Sequence, residues 1–335
     1  MPPQPQAGPV PETAELTWQP LADDLVEVWH PLRAALQLAD GHPEFLTVED
    51  LRDELRLGWL DLARDTVIGL DAFGVARAFG TVELRSSDQT LLRVNCLGGV
   101  HPAARGRGIG RALLAWQRAR AEQLAAARRA ELGQPVPADL RIELPHSASS
   151  AAALFTRAGL GVQQTSLLLR APLDDRVTRI PAPDGLAITP FSPALDDRMR
   201  TAHNTAFLGL RGFQPWSGDT WRTWATGHRS FRPDWTYLAL ARGEVAGYVL
   251  CQAFPDEWPA LGWSQGYIAK LGILPAWRGR GIARSLLSWA MAAFAADGMQ
   301  YAGLDVDSGN TPAERLYASM GFEEWHRMNL WEVPL

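Results

Sequence analysis

V-H-P-A-A-R-G-R-G-I-G-R-A-L-L-A-W, Val100 to Trp116, returns as I-L-P-A-W-R-G-R-G-I-A-R-S-L-L-S-W, Ile273 to Trp289. The two stretches align without a gap at an offset of 173 and share 11 identities in 17 positions. A weaker echo follows each: A-A-A-L-F-T-R-A-G-L (Ala151 to Leu160) matches A-E-R-L-Y-A-S-M-G-F (Ala313 to Phe322) at an offset of 162. The extra 11 residues of the first copy fall around Ala125 to Ala138. Two copies of one unit of about 160 residues make a tandem of globular domains, since a solenoid needs at least three repeats. The joint is expected in the Pro- and charge-rich Ala171 to Gly185, and the length of 335 residues suits two domains. The division reads as a proline-rich tail over 1–13, a first domain over 14–172 and a second over 173–335.

The second copy gives the clearer run of elements. Leu186–Ile188 is strand-like, and Ala194–Phe207 and Thr220–Gly227 are helical in character. Thr236–Ala241 and Val245–Ala253 are strands joined at Arg242-Gly243-Glu244, a hairpin signal. Tyr267–Leu274 is an apolar strand and Pro275–Gly281 a loop. Ile282–Ala296 places Ile282, Leu286, Leu287, Met291 and Phe294 on one helical face. Tyr301–Val306 is a strand. Thr311–Met320 is a helix, with Thr311 as cap, Pro312 at its first position and Glu314 completing a capping box. Phe322–Val333 reads as a pair of strands. The order describes a mixed α/β domain, mostly hairpin-connected, with one strand–loop–helix unit at its centre.

Composition excludes several classes. A net charge of −5, from 32 basic and 37 acidic residues, argues against a general nucleic-acid binder. No apolar run reaches the eighteen or so residues of a spanning helix, so no membrane partner is expected. Cys96 and Cys251 lie in apolar surroundings with no CxxC and no Cys/His cluster, which argues against a zinc site or disulfide framework; reduced core thiols fit a cytoplasmic protein. The start M-P-P-Q-P-Q-A-G-P-V-P-E lacks the apolar core of a signal peptide and is expected to be disordered. Of the 14 Trp, ten lie between Trp216 and Trp331. They suit a core, or the wall of an apolar pocket.

The repeated loop carries the chemistry. Gly279 and Gly281 interrupt the turn between strand and helix, allowing positive φ and close backbone approach. The helix that starts there offers unpaired N–H groups and the positive end of its dipole, a nest that favours phosphate. Arg278, Arg280 and Arg284 add charge in an otherwise acidic chain. The loop is neither G-x-x-x-x-G-K-[ST] nor G-x-G-x-x-G, so a diphosphate-bearing ligand is implied without naming it.

The strand L-G-I-L-P, the loop R-x-x-G-x-A and the following helix resemble motif A of the GCN5-related N-acetyltransferases (GNAT), and N-T-P-A-E-R-L-Y-A-S-M-G-F resembles their motif B. The resemblance covers both halves and implies two tandem GNAT-like domains, each a mixed, mostly antiparallel sheet flanked by helices. It also implies acetyl-CoA as co-substrate and no metal. By that resemblance Arg278, Gly279, Arg280, Gly281, Ile282, Ala283 and Arg284 hold the coenzyme diphosphate. The backbone of Leu271, Gly272 and Ile273 holds the pantetheine and polarises the acetyl carbonyl. Tyr317 is the implied general acid, and Asn310, two helical turns earlier, serves the pantetheine amides or their bound water.

In the first copy Val100, Arg105, Gly106, Arg107, Gly108, Ile109 and Gly110 keep the loop as a coenzyme site. Phe155 stands at the Tyr317 position and Ala148 at the Asn310 position, so this copy is expected to be non-catalytic and structural. The strand before the second loop, W-S-Q-G-Y-I-A-K-L-G-I, contains no acid to serve as base. Asp256, Glu257, Asp219, His203 and His228 are the remaining candidates, each more readily read as a solvated surface group. The implied function is transfer of an acetyl group from acetyl-CoA to the primary amine of a small molecule, by direct attack in a ternary complex in a monomer or homodimer. The tandem, Arg-rich chain resembles the group that includes mycothiol synthase, which acetylates a cysteinyl amine. Against that identity, Gln265-Gly266-Tyr267 stands where an acid is expected. The Trp-rich Gly212 to Trp224 is a candidate acceptor wall. The competing reading is a non-catalytic acyl-CoA-binding protein, which needs neither Tyr317 nor Asn310.

Overall fold

The computed structural model describes residues 10–43, 45–85, 87–174, 177–210 and 213–335. Residues 1–9 of the proline-rich tail, 175–176 of the expected joint and Gly212 at the head of the Trp-rich stretch lie outside the described residues. The chain forms two compact units. One comprises the residues up to Thr165 together with Met328–Leu335, and the other Ser166–Arg327.

The first unit contains β1 (Thr17–Gln19), α1 (Val26–Asp40), α2 (Val48–Leu55), α3 (Leu62–Asp65), β2 (Thr66–Leu70), β3 (Ala76–Glu83) and β4 (Leu92–Val100). It continues through α4 (Ile109–Leu132), β5 (Ala138–Pro145), α5 (Ser149–Arg157) and the start of β6 (Gly161–Pro172). β1 to β4 pair antiparallel in chain order, and β4 pairs parallel with β5. Two clusters fill its core: Trp29, Leu32, Ile68 and Phe79 in one, and Val82, Val94, Leu113, Leu140 and Phe155 in the other.

The second unit contains β7 (Ala187–Pro190), α6 (Asp196–Phe207), α7 (Gly218–Trp224), β8 (Tyr237–Ala241), β9 (Glu244–Gln252), α8 (Trp258–Leu261) and β10 (Gln265–Ile273). α9 (Ile282–Ala296), β11 (Tyr301–Asp307), α10 (Thr311–Ser319) and the start of β12 (Glu323–Pro334) follow. β7 to β10 pair antiparallel in order, and β10 pairs parallel with β11. Both units are therefore mixed α/β with mostly antiparallel sheets. The β8–β9 hairpin turns on Arg242 (φ 50°) and Gly243 (φ 87°), two successive left-handed residues that match the twist of the strands. The apolar face of α9, with Ile282, Leu286, Leu287, Ala290 and Phe294, packs in the main core with Val249, Cys251, Ile268, Leu304 and Val306. On the other face Tyr248 and Leu250 pack with Met199 and Trp221 of α6 and α7.

The repeat boundary at 172/173 is not where the units divide. Residues 166–172 of β6 pair antiparallel with β11 and close the second sheet. Residues 328–334 of β12 pair antiparallel with β5 and close the first. Each copy thus ends in a strand that completes the other unit, an exchange that self-similarity does not reveal. Phe322–Val333, read as two strands, is one continuous strand, Glu323–Pro334; no Gly or Pro breaks the run before Pro334. The cap of α10 is also one residue earlier than expected. Asn310 accepts from the N–H of Ala313 at 3.4 Å, and Glu314 accepts from the N–H of Gly309 at 2.8 Å.

Candidate active site

The parallel pair at the centre of the second unit is short. Gln265, Gly266 and Tyr267 face Tyr301, Ala302 and Gly303, and the pairing ends there. β10 continues to Ile273 against β9 alone, with a bulge between Ile268 and Lys270. The two strands therefore part and leave a crevice along Ile268–Ile273. The N–H of Leu274 is bonded to the carbonyl of Ala246 on β9. Alternation along the strand then turns the N–H groups of Leu271 and Ile273 away from β9, toward the crevice. The side chains of Leu271 and Ile273 pack on the α9 core, and Gly272 lies under Tyr248, whose ring would stand 2.4 Å from an added Cβ.

The glycine loop closes one end of this crevice. Gly279 and Gly281 have φ of 75° and 80°, and a Cβ at either would meet nothing within 4 Å, so the space beside both glycines is open and their main chain is bare toward it. Gly281 is the residue before α9, and no side chain takes up the N–H groups of the first turn, which begins Ile282-Ala283-Arg284. A diphosphate fits such a cradle: donors converge, and no Cβ obstructs them.

The arginines divide their work. Arg278 donates from Nε to the Ile273 carbonyl at 3.2 Å and from Nη2 to the Ala206 carbonyl at 2.7 Å. It satisfies the carbonyl that β10 exposes on leaving β11 and ties the loop to the end of α6. These two bonds brace the loop, and its remaining N–H groups are those that would serve the ligand contact expected from the sequence. Arg280 stacks on Trp277, with 4.7 Å from its guanidinium carbon to the ring centre, and Arg284 reaches Ser319 at 3.4 Å. Both are exposed.

Tyr317 projects from α10 into the core and is 8% exposed. Burial, reinforced by the charge of Asp305, pushes its phenol up to about 12. It therefore keeps its proton across the working range of an enzyme. Asn310 turns its side-chain oxygen to the helix cap, which leaves both amide N–H groups for a ligand.

The candidate bases fare differently. His203 is 1% exposed on α6, shares a 2.7 Å hydrogen bond with Tyr248 through Nδ1, and is ringed by Phe207, Phe213, Trp216 and Trp221. Burial, with help from Lys270, lowers it to about 3. Enclosed by those rings, it presents no ring nitrogen to an incoming amine. The Trp-rich stretch contributes to this box, with Trp221 fully in the core, so those rings read first as packing. His228 is held by Ser230 at 2.6 Å, Asp256 lies 3.7 Å from Arg229, and Asp219 pairs with Arg222. Glu257 closes the short turn before α8. The structure does not bring these four together at the crevice.

One acid escaped the sequence reading. Asp305 stands on β11 just past the parting of the strands, and Tyr267, the last residue of β10 to pair with β11, donates to it at 2.6 Å. The outward position in L-D-V-D (304–307) of that strand was the available signal.

The first unit repeats the frame. β4 and β5 pair only from Leu92↔Ala138 to Asn95↔Arg141 and then part. Gly106 and Gly108 have φ of 80° and 85°, and α4 starts at Ile109-Gly110. Arg105 mirrors Arg278: it donates to the Val100 carbonyl at 3.0 Å and pairs with Asp40 of α1 at 2.6 Å. Arg107 lies 3.4 Å from Glu15. Phe155, 7% exposed, stacks edge-on with Trp331, and Ala148 precedes α5 with no side-chain cap.

The sequence profile of the acetyltransferase (GNAT) family matches residues 198–322, within the second unit. A mycothiol acetyltransferase of Thermobispora bispora is 30% identical over 68% of this chain and 71% of its own. The chain belongs to the GNAT acetyltransferase family. A mycothiol acetyltransferase of Frankia alni is 29% identical over 93% of this chain and 92% of its own length. A GCN5-related N-acetyltransferase of Sphaerobacter thermophilus superposes with a TM-score of 0.77 at 26% identity, covering 96% of each chain. A tandem GNAT protein from the clavulanic acid biosynthesis pathway shares the fold, with a TM-score of 0.68 at 19% identity over 96% of this chain and 98% of its own. The GNAT protein is an N-acetyltransferase of tandem architecture. Among its described residues no helix is long and apolar enough to cross a membrane.

Proposed function

We propose that the second unit transfers the acetyl group of acetyl-CoA to the primary amine of a small molecule by direct attack in a ternary complex. The observation that carries this reading is the parting of β10 from β11. It leaves the N–H of Leu271 uncommitted beside a glycine loop with bare main chain, with a buried phenol on α10. Acetyl-CoA supplies an activated acyl thioester. Backbone N–H groups of Ile282, Ala283 and Arg284 hold its diphosphate, with Gly279 and Gly281 allowing close approach and Arg280 and Arg284 adding charge. The N–H of Leu271 donates to the acetyl oxygen and strengthens as negative charge grows there. Tyr317 offers its O–H to the departing sulfur. Asn310 offers its amide N–H groups to the pantetheine.

The first unit is proposed to be structural. Its loop supports coenzyme binding, while Phe155 has no proton to offer. Among acceptors, a cysteinyl amine is the first to test, because relatives over most of the chain are mycothiol acetyltransferases. A purely coenzyme-binding role needs neither Tyr317 nor Asn310, and the second unit carries both.

The test is loss of thioester absorbance from acetyl-CoA with cysteinamide, glucosamine and tyramine as acceptors, alongside calorimetry with acetyl-CoA. Binding with amine-dependent thioester loss supports the reading. Binding with no loss on any amine supports the binding protein, and no binding removes both.

A further inference from the structure

The family frame leaves the fate of the amine's proton open, and the second unit holds a group suited to take it. Asp305 occupies the first outward position of β11 beyond Gly303, the last residue paired with β10. Its neighbours Leu304 and Val306 are buried on the α9 side, so its carboxylate projects from the opposite face, where it is exposed. Across β11 its partner on β6 is Leu168, which brings it no charge. Tyr267, on that same outward face, donates its O–H to Oδ1 at 2.6 Å and fixes the carboxylate at the mouth of the crevice. The charged and titratable groups placed around it are Tyr267 from β10, Arg170 from β6, opposite Gly303 on the same outward face, Asp307 two residues along β11 and, from the core side, Tyr317 of α10, whose phenol is raised by burial and, less, by the Asp305 charge. The carboxylate thus stands on the face of the sheet opposite the core in which Tyr317 is buried.

We propose that Asp305, held by Tyr267, receives the acceptor's ammonium group and removes its proton before attack. This rests on the proposed transfer to a primary amine. Oδ1 is occupied by the Tyr267 hydrogen bond, so Oδ2 accepts a proton from the ammonium nitrogen. The freed lone pair attacks the thioester carbonyl carbon; a C–N bond forms and the C–S bond breaks. The sulfur leaves with the electron pair and acquires the second proton shed by the nitrogen. Asp305, exposed, returns its own proton to water. The balance is one ammonium and one thioester in, one amide, one thiol and one proton out. The inference also sets a class of acceptor: an amine that is cationic at neutral pH, presented on the face opposite α9.

The test follows thioester loss with cysteinamide, glucosamine and tyramine for the wild type, Asp305→Asn and Tyr267→Phe between pH 7 and 9.5, with calorimetric acetyl-CoA binding in parallel. For whichever amine the wild type uses, Asp305→Asn should lower kcat/KM by about 10²-fold at pH 7, the size of a general-base contribution. The deficit should narrow toward pH 9.5, where the amine loses its proton unaided, and acetyl-CoA binding should stay within twofold of wild type. Tyr267→Phe, which keeps the carboxylate and frees it, should show a smaller deficit that narrows in the same way. A loss equal at every pH, or activity within twofold of wild type at pH 7, overturns the role of Asp305 while the transferase reading stands. Wild-type protein that acetylates none of the amines overturns the transferase reading and this inference with it.

Discussion

Replacing Tyr317 by Phe removes one oxygen from a side chain that is 8% exposed. The fold itself supplies the control: at the matching position of the first unit Phe155 is buried to the same extent, so a phenyl ring suits this place in the framework. The size of the catalytic effect follows from the phenol's acidity. Its pKa is pushed up to about 12, while a coenzyme thiol resembles cysteine at about 8.5. Complete transfer of the phenolic proton to the leaving sulfur would therefore run uphill by about 5 kcal/mol. The part open to Tyr317 is a hydrogen bond to sulfur as its charge develops. Losing one hydrogen bond to a charged partner costs about 1.5–3 kcal/mol, which is roughly 10- to 150-fold in rate. Steady-state thioester loss should show that fall in kcat, with the calorimetric Kd for acetyl-CoA near wild type. A kcat within threefold of wild type would remove the phenol from the mechanism. A loss well beyond a thousandfold would show that a proton, rather than a hydrogen bond, is delivered.

Gly281→Ala should weaken acetyl-CoA at least tenfold by calorimetry, because its methyl group enters the open space beside that main chain; its φ of 80° also costs about 1–2 kcal/mol in unfolding. A lowered melting temperature with unchanged affinity would place the diphosphate elsewhere. Gly266→Ala forces a Cβ to 2.4 Å from the Phe294 ring and should destabilise the second unit by about 1–3 kcal/mol; an unchanged urea midpoint would contradict the packing described. His203 is held at about 3 in the folded chain, against 6.5 unfolded, so the unfolded chain binds the proton first. Its contribution is complete above about pH 6.5 and fades as pH falls toward 3, with about 1.4 kcal/mol gone by pH 5.5. Denaturation of His203→Phe at pH 7.5 and 5.5 should show a smaller acid loss than wild type, and equal losses would refute the assignment.

The strand–loop–helix frame was legible because it is local. Two glycines, an arginine and an apolar helix face fix it within Ile273–Trp289, and α9 has the bounds its periodicity predicts. The hairpin at Arg242-Gly243 and the helix bearing Tyr317 were readable for the same reason. What depends on distant partners was not. Arg278 looks like a ligand residue in a list of charges, and only its hydrogen bonds to Ile273 and Ala206 show it to be a brace as well. His203 looks like a base until its aromatic surroundings are seen. Asp305 gains its meaning from Tyr267, 38 positions earlier, and from the residue at which two strands separate. The destinations of residues 166–172 and 328–334 are set by the open edges of sheets, which no spacing in the chain encodes.

That last feature bears on how the molecule is made. The unit spanning Ser166–Arg327 is contiguous, whereas its predecessor has β5 paired on the β4 side alone until Met328–Pro334 has been synthesised. On the ribosome the usual order, in which the N-terminal portion matures first, is reversed at this edge. The earlier-made half waits with one edge of β5 open for residues translated after the second unit is already whole. A premature stop shortly before Met328 would thus injure the half encoded furthest from it.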